Sequence, residues 1–515
     1  MHLQKINNIF KILLFIPLLI YLGERSPIAF DEGYYILQSK WILNTGDWIS
    51  PMYWGRLILD RTIGIQYLIA LSQKIFGQNN FSIYIPNILA GSIMIFLTSE
   101  IHKELVQKKD RIISALILST TFLWINYFHM ATQDIIFASL VTFGLFSTIK
   151  AYKSEKNIYF FSSGIWIGLA VMLKTYLTII PLIAILPFLI SSKIIRKKSF
   201  WSGTFIGFIP FFIWSYNVIN IYGFTNFSGL YSKLITLSKN NNFTNPFYYY
   251  LWNFPINILP WSVFAIIGFF KINKFKEKLS YFFLFKFPLV IVTLLSIFST
   301  KTPYYLLQIL PLISINSYIG LFYIFKNKNI FTSFFRKLTF LIFPISLLSL
   351  IIYINLKIEN IGIERSEKYI LSFALFIFAI SWLISEKFES MKHKLTLIIL
   401  GPYILFSISV QSGFLNDRSK DIRLASQEII RKENLYNKKI EFITSGPGDE
   451  DSTSKLIRLG IFMPNIGEGI DDIKDLKINQ YAWTTISNDE IVLDGNYKLI
   501  ETPNIFKPWK LILRE

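Results

Sequence analysis

Apolar runs of about 17–22 residues recur along most of the chain, and short polar stretches rich in Lys and Arg separate them. A helix of that length crosses the hydrocarbon core of a bilayer. The runs fall near 9–28, 83–101, 112–129, 132–149, 158–173, 175–192, 200–219, 255–270, 281–298, 304–324, 338–354, 369–385 and 394–411, which predicts thirteen membrane-spanning helices. The stretches between them alternate in charge. HKELVQKKDR (102–111), KAYKSEKN (150–157), KIIRKK (193–198), KINKFKEK (271–278), KNKNIFTSFFRK (326–337) and EKFESMKHK (386–394) each carry three or four Lys or Arg. Cytoplasmic loops hold such an excess, so the pattern predicts these six on the cytoplasmic side, a cytoplasmic N-terminus and an extracytoplasmic C-terminus.

Three stretches break the run-and-loop rhythm. Phe30 to Gly77 is too long and too patterned for a connector. Tyr35, Leu37 and Trp41, then Ile65, Leu68, Ile69, Leu71 and Ile75, recur at helical spacing with polar residues between them, which predicts amphipathic helices on the membrane surface. The outer loop 220–254 is rich in Asn, Tyr and Phe, as an interfacial aromatic belt is; it also suits a gate or a sugar platform. From about Leu415 the apolar runs stop. KIEFITSG (439–446), STSKLIRLGIF (452–462), YAWTTIS (481–487) and WKLILRE (509–515) read as strand, helix, strand, strand. The expected organisation is a transmembrane unit over 1–414, with a first outer loop over 31–80, and a small extracytoplasmic α/β domain over 415–515 acting as a solubility cap or docking module.

Composition agrees. Hydrophobic residues make up 52% of the 515 and the mean hydropathy is +0.44, more than a soluble fold can hide. The net charge of +19 is uneven: residues 415–515 hold 15 Lys/Arg and 17 Asp/Glu (−2), leaving +21 for the rest. Because the bases sit between apolar spans, they mark membrane loops and no nucleic-acid partner is expected. With no cysteine, disulfides and thiolate metal sites are excluded. The first run reads as a retained anchor, since no small-residue cleavage site precedes Asp31.

Candidate chemistry gathers at the outer face. Asp31 and Glu32 open the first loop; they are either a solvated helix end or a carboxylate placed to take a proton. Asp134 begins the fourth span in HMATQDIIFASL, where the helix dipole favours an acid. Lys174 and Lys301 fall on a face otherwise poor in base. They either snorkel to headgroups or, with Arg61, hold a phosphate. The sequence has no P-loop and no dinucleotide fingerprint.

Several of these residues lie in motifs. Asp31-Glu32-x-x-Tyr35, Gly46-Asp47-Trp48, Pro51, Gly55 and the acid–base pair Asp60-Arg61 resemble the first extracytoplasmic loop of the GT-C glycosyltransferases, in the branch of the lipid A aminoarabinose transferases and protein O-mannosyltransferases. The bacterial family continues Glu-Lys-Pro-Pro-Leu; this chain has Asp60-Arg61-Thr62-Ile63-Gly64, keeping the acid and base and losing both prolines. Pro246-Phe247-Tyr248-Tyr249-Tyr250 with Leu259-Pro260-Trp261, the Gly-Leu-Ala-x-x-x-Lys ending at Lys174, and Phe298-Ser299-x-Lys301-x-x-Tyr304-Tyr305-Leu306 also match, so the resemblance covers roughly residues 10–325. It implies an all-α polytopic GT-C fold in the plasma (inner) membrane and transfer from a polyprenyl-phosphate sugar to a lipid, glycan or protein acceptor by inverting displacement. By the same resemblance Asp31 is the base, Glu32 and Asp134 assist it, and Arg61, Lys174 and Lys301 bind the donor phosphate. Tyr35, Trp48, Tyr304 and Tyr305 line the substrate pocket, and the resemblance names no certain cofactor while leaving room for a divalent metal. Two other classes fit the composition: a lipid-linked glycan flippase or transporter, and an envelope glycan polymerase or ligase. A transporter needs its unusual charges near the bilayer midplane, whereas here they cluster at one face.

Overall fold

The computed structural model describes residues 14–20, 25–106, 110–230, 244–272, 277–357, 365–415, 417–443, 449–487 and 496–515. Residues 9–13 and 21–24 of the expected span at 9–28, and 231–243 of the loop 220–254, lie outside them; within that span Ile16–Leu19 is a short helix. Among the described residues, nine helices are long and apolar enough to cross a membrane, or up to eleven if two bent pairs, Arg111–Ser119 with Phe122–Phe128 and Tyr249–Asn257 with Ser262–Lys271, each count as one.

Length alone would count Asn157–Ser191 as a single 35-residue span. It is a hairpin. Its rise ends at Lys174, Thr175–Thr178 makes a tight turn, and Ile179–Ser191 descends. The two ends meet: Phe160, Ser192 and Lys197 border one cavity with Ala151 and Tyr152, and the Lys197 ammonium lies 5.3 Å from the Phe160 ring centroid.

The basic loops are tied together at one end of the bundle. Glu104 pairs with Lys150 (3.2 Å) and Lys153 (3.5 Å), joining the first two loops. The Lys197–Phe160 contact joins the second to the third. Ser280 donates to the Leu105 carbonyl (2.6 Å), Lys271 sits over the Tyr323 ring (4.3 Å) and Arg336 pairs with Glu386, which brings in the remaining three. The six loops predicted to share a face therefore do so.

Close packing and exposed apolar surface alternate as bundles in lipid require. The rising arm of the hairpin crosses Lys198–Phe227 where Gly168 meets Gly207, and a Cβ on either would strike the opposite backbone. Outward, Leu89, Phe96, Trp201, Phe205 and Tyr216 are exposed. Such a girdle on a water-soluble surface would drive aggregation.

At the opposite end lie the first loop and the C-terminal unit. The first loop forms a helix, Asp31–Thr45, a hairpin of β1 (Met52–Tyr53) and β2 (Arg56–Leu57), and a second helix, Gly64–Phe76. The second helix is amphipathic as expected, with Leu68, Leu71, Ile75 and Phe76 exposed. The first does not lie with a polar face open to water. It buries Glu32, Gly33, Tyr35, Ile36, Leu37, Gln38, Ser39 and Ile42, because the Glu450–Phe462 helix covers its outer side. Lys40 fastens the two, its ammonium donating to the carbonyls of Gly460 (3.2 Å), Ile461 (2.6 Å) and Met463 (3.1 Å). Cations at a helix C-terminus answer both its unpaired carbonyls and its dipole.

The C-terminal unit is a four-stranded sheet in the order β3 (Ile440–Phe442), β4 (Tyr481–Thr484), β6 (Lys510–Arg514), β5 (Tyr497–Ile500). β3 and β4 run parallel, with Glu450–Phe462 in the crossover between them, and the other pairs are antiparallel.

Candidate active site

The N-terminal turn of the first-loop helix carries two carboxylates pointing apart, since successive helical side chains diverge by about a quarter turn. Asp31 faces outward. Its Oδ1 accepts from the Arg61 guanidinium at 3.0 Å, and its side chain keeps 49% exposure. Arg61 also pairs with Asp60 (3.1 Å) and donates to the Tyr35 hydroxyl (2.6 Å). A planar guanidinium can serve three oxygens at once where an ammonium cannot hold the same geometry. The buried Tyr35 phenol is pushed up by burial and stays a neutral hydrogen-bonding group. A cavity of about 160 Å³ opens beside these residues, lined by Tyr34, Gln38, Tyr53, Ile58, Asp60 and Arg61.

The second charged pair is buried. Asp134 stands in the first turn of Gln133–Ser154, and Lys174 ends Asn157–Lys174, so each has the charge its helix end favours. Their side chains pair at 9% and 6% exposure. The Lys174 ammonium also lies 4.9 Å from the Tyr304 ring centroid and 5.4 Å from that of Tyr305. The next residue, Thr175, has φ +40°, a left-handed conformation that a β-branched side chain rarely adopts. Strain of this kind survives where the surroundings impose it. Here Thr175 faces Thr62 across 3.4 Å, one residue from Arg61.

Tight packing joins the two pairs. Gly64, which starts the second loop helix, sits against the Met172 carbonyl, where any side chain would collide. Tyr35, Tyr127 and Tyr304 each lie within electrostatic reach of both Asp31 and Asp134. The Tyr127 and Tyr304 rings meet edge to face at 5.4 Å. Two cations and three carboxylates thus stand at the end of the bundle away from the basic loops, divided between the cavity beside Arg61 and Asp60 and a separate, very small one lined by Asp134, Lys174, Tyr304 and Tyr305. Among the described residues, no three His, Asp or Glu side chains converge as a metal site.

Residues 60–216 match the sequence profile of the dolichyl-phosphate-mannose-protein mannosyltransferases. An uncharacterized protein of Aquifex aeolicus is 25% identical over 325 residues, 59% of this chain and 62% of that one. The undecaprenyl phosphate-alpha-4-amino-4-deoxy-L-arabinose arabinosyl transferase of Edwardsiella ictaluri is 28% identical over 176 residues, 33% of this chain and 31% of its own. The chain thus aligns to under two thirds of the length of these curated relatives. The crystal structure of ArnT from Cupriavidus metallidurans bound to undecaprenyl phosphate superposes with a TM-score of 0.78 at 12% identity, over 98% of this chain and 97% of that one. The chain shares the fold of that structure, the GT-C fold.

Within this GT-C fold the expected site residues separate into two groups. Asp31, Arg61, Tyr35, Asp134, Lys174, Tyr304 and Tyr305 come together. Glu32, Lys301 and Trp48 do other work. Glu32 is fully buried and turned inward, its oxygens accepting from the backbone N–H of Ile28 (2.9 Å) and Ala131 (2.5 Å) with Arg25 at 3.7 Å. Burial pushes its carboxyl up, against the pull of Arg25 and the two N–H donors. The Lys301 ammonium is taken by the carbonyls of Asn245 (2.8 Å) and Phe298 (2.5 Å), on the same segment as the Tyr304 pair but without a hydrogen bond or ion pair to it. Trp48 packs on Tyr67 at 5.8 Å, beside a separate core cluster around Ile42, Ile63 and Trp214. The structure adds Asp60, Tyr34, Tyr53 and Tyr127 to the site. Asp60 had a signal in the sequence, as the acid of the acid–base pair with Arg61; the tyrosines are indistinguishable there from an interfacial belt.

Proposed function

We propose that the protein is an integral membrane glycosyltransferase that moves a sugar from a polyprenyl-phosphate donor to a lipid, glycan or protein acceptor at the extracytoplasmic face. The observation that carries the reading is that the Asp31–Arg61–Asp60 cluster and the Lys174–Asp134 pair lie on segments packed against one another, through Thr62 with Thr175 and Gly64 with Met172, at the end of the bundle opposite every basic loop. The positive-inside rule assigns the basic end to the cytoplasm, which puts both charged groups and the C-terminal unit outside and the N-terminus inside.

Arg61 and, behind it, Lys174 receive the donor phosphate. An arriving phosphate competes with the carboxylates for the Arg61 guanidinium and releases Asp31 from its ion pair. The freed carboxylate then takes the proton of an acceptor hydroxyl as that oxygen attacks the anomeric carbon. The bond from that carbon to the phosphate oxygen breaks with inversion, and the lipid phosphate leaves as an anion held by the cations. Tyr304 and Tyr305 flank the sugar. Lys301, which gives two of its three ammonium protons to carbonyls, steadies the Tyr304 segment. Metal is not required by this sequence of events.

The test incubates purified protein with polyprenyl-phosphate sugars and a host lipid extract, followed by mass spectrometry. Accumulation of free polyprenyl phosphate together with a new glycosylated product supports the reading. Movement of intact donor across liposomes without cleavage would replace it with a flippase.

A further inference from the structure

A second cavity, about 380 Å³, opens between the first-loop helix and the C-terminal unit, and the reaction proposed above does not use it. One wall is Trp41, Tyr53 and Trp54 with Asn44 at the rim; the other carries Asn465 and Glu468. Trp54 is held in a left-handed conformation (φ +47°), packed on Phe442 at 5.3 Å and fitted against Gly460 and Gly469. That conformation is an outlier for a bulky residue, and the C-terminal unit imposes it. The cleft is therefore a fixed feature of how the two parts dock.

We infer that this cleft binds the saccharide part of the acceptor, two or more sugars away from the hydroxyl that reacts; the inference rests on the transferase reading. Aromatic faces accept the C–H faces of sugar rings, while side-chain amides and a carboxylate match their hydroxyls. The volume lies in the range of small-ligand sites. A peptide has less to hold it. Its usual route is to add a strand to a sheet edge, and the edge at β3 is already bridged by Ile466 and Ile470. Position supplies the link to the reaction. Trp41 is ten residues beyond Asp31 on one helix, about 15 Å at 1.5 Å per residue. Tyr53 lines both this cleft and the cavity beside Arg61. An extended acceptor glycan can thus lie in the cleft while its terminal sugar reaches Asp31.

The test uses water-soluble oligosaccharides released by mild acid from the host's envelope glycolipids, sorted into single sugars and chains of three or more. Saturation-transfer NMR with full-length protein in detergent measures binding without donor, so it stands apart from any failure of transfer. Chains of three or more should bind, single sugars at least tenfold more weakly. Trp41→Ala should weaken the longer chains at least tenfold. So should the double variant Asn44→Ala/Glu468→Ala, whose two positions are exposed and leave the fold intact. In transfer assays both variants should raise KM for long acceptors and leave kcat unchanged. No binding by any fraction, binding untouched in both variants, or capture of peptides in place of glycans would overturn the inference.

Discussion

Lys174 and Asp134 form the most enclosed ion pair of the site, and removing one partner separates electrostatic support from substrate binding. With both side chains at or below 9% exposure, Lys174→Met strands a carboxylate in low dielectric. Breaking a buried pair from one side costs about 3–5 kcal/mol. Unfolding entropy of about 2.1 cal/mol/K per residue gives about 1.1 kcal/mol/K for 515 residues, so the melting temperature should drop by about 3–5 °C. The double variant Lys174→Met/Asp134→Leu replaces the pair by apolar groups and should recover most of that loss, since such replacements are often neutral. Tryptophan fluorescence during thermal unfolding in detergent measures both. The same samples with undecaprenyl phosphate report the second role: saturating ligand adds roughly RT ln(1 + [L]/Kd), about 2.7 kcal/mol at a hundredfold excess over Kd. That increment should shrink in the double variant although its intrinsic stability is restored. A Lys174→Met protein melting within about 1 °C of wild type would refute the buried-pair reasoning. An unchanged ligand increment in the double variant would remove Lys174 from the phosphate site.

Other outcomes follow from individual contacts. Glu32→Gln offers one acceptor where Ile28 and Ala131 need two, so it should cost about 1–3 kcal/mol of stability while kcat per folded molecule stays near normal; a large kcat loss at full stability would return Glu32 to the chemistry. Arg61→Lys cannot hold Asp31, Asp60 and Tyr35 together and should raise the donor KM about tenfold or more, read from initial rates; an unchanged KM would place the phosphate elsewhere. Lys40→Ala frees three carbonyls at the end of Glu450–Phe462 and should speed hydrogen exchange in that helix; unaltered protection would show that Lys40 does not hold the C-terminal unit. A reporter fused after Arg418 should be active only outside the cytoplasm, and cytoplasmic activity would invert the topology.

The sequence made some of this legible because the relevant physics is local. Apolar length and loop charge marked membrane-crossing helices and the shared basic face without knowledge of packing, while the thirteen apolar runs compare with nine to eleven candidate spans among the described residues. Asp31, Arg61, Asp134 and Lys174 stood out singly because charges at a membrane edge are few, and the pairing of Asp134 with Lys174 appears only in the fold. What failed to show depended on long-range contact. The first-loop helix looked one-sided because part of what buries it lies over 400 residues away in Glu450–Phe462. Glu32 stands next to Asp31 in the chain, yet a helical quarter turn sends one to water and the other to the core. Lys301 had the sequence context of a phosphate ligand, and only the fold brings the carbonyls of Asn245 and Phe298 to its ammonium. Trp48 shares a motif with Tyr35 but belongs to a different cluster of the core.

The central claim is that Asp31 removes the acceptor proton at a site where cations hold the lipid phosphate. Sugar transfer by Asp31→Asn, measured against wild type in membranes with protein matched by immunoblot, tests it directly. The substitution keeps the shape and removes the base, so turnover should fall about 10²-fold or more while binding of the donor lipid changes little. Near-normal transfer would contradict the assignment and move the search for the base to Asp134, and equal loss of donor binding and turnover would make Asp31 a binding residue instead.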